Sequence, residues 1–231
     1  MTIVGFPQHH TRPLTYRAHR TELLRRALLV FGILTPPLYV AINLLGAAQW
    51  ENYSFASQAV SELSAIGAPS RSLLLWLGAV YDLFVLAFAL GVWRSAGSKR
   101  SLRLTAAFLL GTVIVDTLFR FAPMHMRGTP PTLTDTMHIV LSAAISLCIL
   151  LAVASSAAAF GRWFRVFAIA TILIMLVAGA WTGFEARGVP TNAPTPVLGL
   201  TERIDIGAYL LWTVVLAVVL LPRRDGAGLQ R

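Results

Sequence analysis

Asp116 and Arg120 stand four residues apart at the end of one long apolar run, and Asp135, His138 and Ser142 follow at helical spacing at the start of the next. A carboxylate and a guanidinium at that spacing share one helix face. They either pair with each other or clamp an anionic group on a ligand. Asp135 follows a Pro-Pro turn, as a first-turn acid does, and it is also within reach of His138. A buried imidazole either takes one hydrogen-bond partner, here Asp135, or works as a general base or metal ligand. The catalytic candidates are Asp116 and His138. A metal would draw on His125, Asp135 and His138, whose nitrogen and oxygen atoms suit zinc, although no HExxH spacing is present. Ser61 or Ser142 with His138 and Asp116 has the residue types of a serine hydrolase, without a GxSxG elbow. Haem between helices is rejected, because only His138 lies well inside an apolar run. The sequence names no cofactor.

These groups sit in a chain that is 56% hydrophobic and 13% charged, with a net charge of +9. Soluble domains are roughly one quarter charged. The composition is that of a membrane protein. The arginines lie between apolar runs, so the excess positive charge points to anionic lipid headgroups and not to nucleic acid. Cys148 is the sole cysteine, which excludes an intramolecular disulfide and paired-cysteine metal sites.

Six apolar runs reach the roughly 20 residues needed to cross a bilayer. They fall near Leu23–Ala48, Ser72–Trp93, Leu102–Phe121, Asp135–Phe160, Trp163–Phe184 and Arg203–Leu221. The expected architecture is an all-α, polytopic bundle over 23–221, with polar tails at 1–22 and 222–231. His9, His10 and His19 belong to the first tail. Pro36 and Pro37 should bend the first helix. Fourteen basic residues fall on the side of the two termini and five on the other, so the positive-inside rule places both ends in the cytoplasm. The expected home is the cytoplasmic membrane, with the lipid bilayer as the first partner. Six of the ten acids, Glu51, Glu62, Asp135, Glu185, Glu202 and Asp205, then face outward.

The connection from Gln49 to Arg71 carries Phe55, Ala59, Leu63 and Ile66 at helical spacing, with Ser54, Ser57, Gln58 and Ser61 beside them. It reads as a short amphipathic helix ended by Gly67 and Pro69. The connection from Ala186 to Thr201 reads as a loop.

Polar residues inside the spans form stripes at about 100° per residue. Asp135, His138, Ser142 and Ser146 make one, and Thr105, Thr112, Asp116 and Arg120 another. Glu202, Asp205, Tyr209 and Trp212 make a third, and Thr171, Ala178, Thr182 and Glu185 a fourth. The first run offers Gly32, Pro36, Tyr39 and Asn43, and the second offers Asp82 near mid-membrane. Polar groups in hydrocarbon cost several kcal/mol unless paired or wet. The stripes should therefore face one another around a common interior that opens outward and is floored near Asp82. Plainer roles stand beside this one. Asp82 can bond Tyr39 or Asn43, Glu202 and Arg203 can cap a helix start, and Ser142 with Ser146 suits close helix packing.

The segments YSFASQAVSELSAIGAPSRSLL, FAPMHMRG followed by TDTMHIVLSA, and GLTERIDIGAYLLW resemble those of a bacterial and archaeal membrane family, domain of unknown function 998. The resemblance runs from the first helix to the sixth. It implies a compact six-helix membrane protein, with Ser61, Glu62, Gly67, Pro69, His138, Glu202 and Arg203 at matched positions. It carries no reaction.

The reading that emerges is binding or translocation of a small or lipidic ligand. Ser61, Glu62, Asp82, Arg120, Asp135, Ser142, Glu202 and Arg203 would line the site, with Arg120 and Arg203 on anionic groups. A membrane-embedded hydrolase, with or without a metal, is the alternative. A third class is an assembly partner whose polar stripes only hold helices together. A proton-coupled transporter would draw on Asp82 and Asp116, but no internal repeat is visible.

Overall fold

The computed structural model describes residues 12–222. His9, His10, Arg223, Arg224 and Arg231 lie outside the described residues. Among them six α-helices run in order: α1 Arg12–Ala47, α2 Arg71–Ser95, α3 Arg100–Phe119, α4 Leu133–Ala157, α5 Arg162–Glu185 and α6 Leu198–Leu220. All six are long and apolar enough to cross a membrane, and no strand occurs among the described residues. This is an all-helical, multi-pass architecture. Large apolar side chains such as Trp76, Val140 and Val177 lie exposed on the outer faces, as a hydrocarbon environment requires.

Each helix packs on its neighbours in the chain, and α6 returns to α1. The result is a ring of six. One end carries the α1–α2, α3–α4 and α5–α6 connections (the loop end), and the other carries the two shorter connections. Toward that second end the ring is filled by an apolar core containing Leu29, Phe88, Val92, Leu109, Val153 and Leu216. Buried Trp212 adds an anchor there and donates from Nε1 to Ser156 Oγ at 3.1 Å. Gly91 lets α1 and α2 approach closely, because a Cβ there would lie 2.9 Å from the Leu29 backbone nitrogen. Arg25 ties this end together by donating to Ser95 Oγ and to the carbonyls of Leu220 and Leu221.

Several boundaries differ from the sequence reading. α1 begins at Arg12, well before Leu23, and continues through Pro36 and Pro37. α6 begins at Leu198, five residues before Arg203. Its first turn is held by Glu185, whose Oε2 accepts from Val197 N at 3.0 Å. Glu202 and Arg203 are therefore inside the helix and do not cap it.

The expected amphipathic helix between α1 and α2 is replaced by successive turns and a short 3₁₀ segment, Ser61–Ser64. Side chains displace helical bonding there: Gln58 Oε1 accepts from Ser54 N, and Glu62 Oε1 accepts from Ala59 N. Ala59 and Leu63 are buried, while Phe55 and Ile66 stay exposed. Gly67 takes a left-handed φ of +96°, which turns the chain toward α2. The three loop-end connections then interlock. Ile66 N donates to Met124 O at 2.8 Å, Gly128 N to Val189 O at 2.9 Å, and Leu200 N to Ala56 O at 3.0 Å.

Candidate functional site

A cavity of about 670 Å³ occupies the loop-end half of the ring. Every helix contributes to its wall. Tyr39 and Asn43 come from α1, Tyr81 and Asp82 from α2, Thr112 and Asp116 from α3, and His138, Ser142 and Ser146 from α4. Gly179 and Thr182 come from α5, and Glu202, Asp205 and Tyr209 from α6. The helical stripes explain this convergence, since a ring turns one face of each helix inward. The stripes also extend past the cavity. Thr105, Thr171 and Trp212 are buried in the packed half.

Arg120, at the end of α3, joins two helices. Its Nη2 donates to Asp82 on α2 and lies 3.5 Å from Asp116, one turn back on its own helix. The pairing within α3 is present, but the contact between helices is the tighter one. Asp82 therefore takes Arg120 as its partner, in place of Tyr39 or Asn43. Asp82 lies eleven residues into α2, about 16 Å from its start at helical rise. The long arginine side chain reaches down to it from the helix end.

Asp135 and His138 lie one turn apart but do not pair. Asp135 closes a capping box with Thr132 and accepts from both the backbone N and the Nδ1 of His125, the latter at 2.9 Å. His138 Nδ1 instead bonds the carbonyl of Ala122 at 3.0 Å, and its ring lies 4.2 Å from that of Phe119. Ser142 donates to the His138 backbone carbonyl at 2.7 Å and not to the ring. The proposed metal trio is thus divided: His125 and Asp135 form one pair, and His138 faces the α3 end. Among the described residues, no group of three or more His, Cys, Asp or Glu side chains is arranged to hold a metal ion.

Glu62 and Arg203 also acquire partners that the sequence reading did not anticipate. The Glu62 side chain is completely buried and receives a two-pronged contact from Arg127, Nε to Oε2 at 2.8 Å and Nη2 to Oε1 at 2.7 Å. Arg127 also contacts Ser57 O and Thr195 Oγ1. Its bond to Glu62 holds the guanidinium pKa above its ordinary value. Arg203 donates to Phe55 O, Gln58 O and Gly199 O, and to the Tyr53 hydroxyl, while lying over the Tyr53 and Phe55 rings. Burial raises the Tyr53 pKa. Gly199 makes this clamp possible, because a Cβ there would collide with Gln58 O. Both ion clusters fasten the first connection across the loop end. Ser61 lines the cavity beneath it, and Glu202 accepts from Val60 N at 2.5 Å.

Two features of the wall went unrecognised in the sequence. One is the tyrosine group. Tyr39 and Tyr81 have ring centroids 6.0 Å apart, and Tyr209 joins them on the cavity wall. The other is a set of polar atoms, closed off behind the wall, that have no hydrogen-bond partner among the described residues: Tyr39 Oη, Asn43 Oδ1 and Tyr209 Oη. Helical periodicity marked Tyr39, Asn43 and Tyr209 as inward, but could not reveal that they lack partners.

The fold defines a multi-pass helical membrane protein, and its ring of helices encloses a cavity with a mostly apolar wall. The family described as Protein of unknown function (DUF998) matches residues 33–219, and the chain belongs to that family. No curated protein and no solved structure matches it.

Proposed function

We propose that this protein binds a small or lipidic ligand in the loop-end cavity, with that end facing the cell exterior and both termini in the cytoplasm. The cytoplasmic membrane is the proposed location, on the strength of the arginine distribution. The observation that carries the reading is the cavity itself, about 670 Å³ in volume, with a mostly apolar wall on which a few carboxylates converge. Small-molecule sites have that make-up, an apolar lining with a few placed polar groups. Binding is preferred to hydrolysis because Ser142 is engaged with a backbone carbonyl and, among the described residues, no hydroxyl–imidazole pair is assembled.

Native mass spectrometry of gently released protein tests the reading. A bound small molecule or lipid is expected, and it should be lost when Ser146→Trp fills the cavity while the protein remains folded. An unliganded protein at every detergent condition, or an adduct retained in Ser146→Trp, would refute it.

A further inference from the structure

The sequence reading gave the ligand an anionic group, to be met by Arg120 and Arg203. The geometry removes both from that role. Arg203 is clamped on backbone carbonyls away from the cavity, and Arg120 is held between Asp82 and Asp116. The remaining arginine of the wall, Arg71, donates to the carbonyl of Ser64 at 2.6 Å. Among the described residues, five lining carboxylates, Asp82, Asp116, Asp135, Glu202 and Asp205, stand against two lining arginines, Arg71 and Arg120. Four of the five have partners. Arg120 serves Asp82 and Asp116, His125 and Thr132 serve Asp135, and Val60 N serves Glu202.

Asp205 is different. It is half-buried on α6, and among the described residues it has no hydrogen bond and no ion pair. The facing helix leaves it room, because a Cβ on Gly179 of α5 would only just reach the carboxylate, at 3.9 Å. One turn further along α6 is Tyr209, which with Tyr39 and Tyr81 places three tyrosines on the cavity wall. A carboxylate without a donor calls for an N–H group carrying positive charge. Tyrosine faces attract the same cation.

Building on the cavity-binding reading, we infer that the ligand is an amphipathic organic cation. It is a protonated amine whose ammonium sits at Asp205, and whose apolar body lies along Val85, Ile145 and Ile149. That chemistry is shared by free alkylamines and by the amine of a lipid headgroup.

The test compares octylamine, octanol and octanoate, which share one chain and differ in head charge. Binding to the protein in zwitterionic nanodiscs is measured by calorimetry against empty nanodiscs. Octylamine is expected to bind roughly tenfold or more tighter than either competitor. Asp205→Asn should remove that preference while leaving octanol binding in place, which also reports an intact cavity. Asp205→Glu should keep it. The inference is overturned if octanoate or octanol binds as tightly as octylamine, or if Asp205→Asn leaves octylamine binding unchanged. If none of the three binds, the cavity-binding reading itself fails. An octyl phosphoethanolamine then separates the sources. Binding equal to that of octylamine assigns the amine to a lipid headgroup, and exclusion assigns it to a free amine. Both results retain the ammonium site.

Discussion

Replacing Arg127 by methionine would leave the Glu62 carboxylate completely buried, with only the Ala59 N–H to face it. Two charge-assisted hydrogen bonds, at 2.7 and 2.8 Å, are lost. Breaking one side of a buried ion pair costs about 3–5 kcal/mol. Arg127 is about one-fifth exposed and the Ala59 bond survives, which favours the lower figure, about 3 kcal/mol. Glu62→Gln should cost less, about 1–2 kcal/mol, because the guanidinium keeps water, Ser57 O and Thr195. The double variant should recover part of the loss, since no charge is then stranded. Equilibrium unfolding in mixed SDS micelles, arranged as a double-mutant cycle, measures all four proteins. Strict additivity, or an Arg127→Met protein as stable as the parent, would refute the argument that this pair fastens the first connection over the cavity.

Gly91→Ala should destabilise the protein by about 1–3 kcal/mol, as overpacking does, because the new methyl meets the α1 backbone and not a movable side chain; the same unfolding assay reads it, and unchanged stability would argue against the close α1–α2 contact. In a Cys148→Ala background, a cysteine at exposed Thr191 should react with an impermeant thiol reagent in intact cells, and one at exposed Ser98 only after permeabilisation. The reverse pattern would invert the proposed orientation.

Much of the fold was legible because hydrocarbon imposes simple rules on a chain. Six runs of sufficient length had to be helices, since only a helix satisfies its own backbone within a single span. The i, i+4 recurrence of Asp116 and Arg120, and of His138 and Ser142, marked inward faces by geometry alone. The first connection was misread for a related reason: its helical spacing of apolar residues was real, but Gln58 and Glu62 took the backbone N–H groups that a helix would have used.

Partner choice was a different matter. Helical spacing within one span offered Arg120 to Asp116 and Asp135 to His138. The structure gives Arg120 chiefly to Asp82 on another helix, and Asp135 to His125 and Thr132. Glu62 and Arg127 are 65 residues apart, and nothing local announces their pairing. By itself the sequence determined that this is a multi-pass helical protein and which faces of its helices are polar, because those depend on hydrophobicity and a fixed helical period. Only the tertiary structure decided which polar groups satisfy one another and which, like Asp205, line the cavity without a partner. Pairing depends on distances between helices, and those are set by how the whole ring closes.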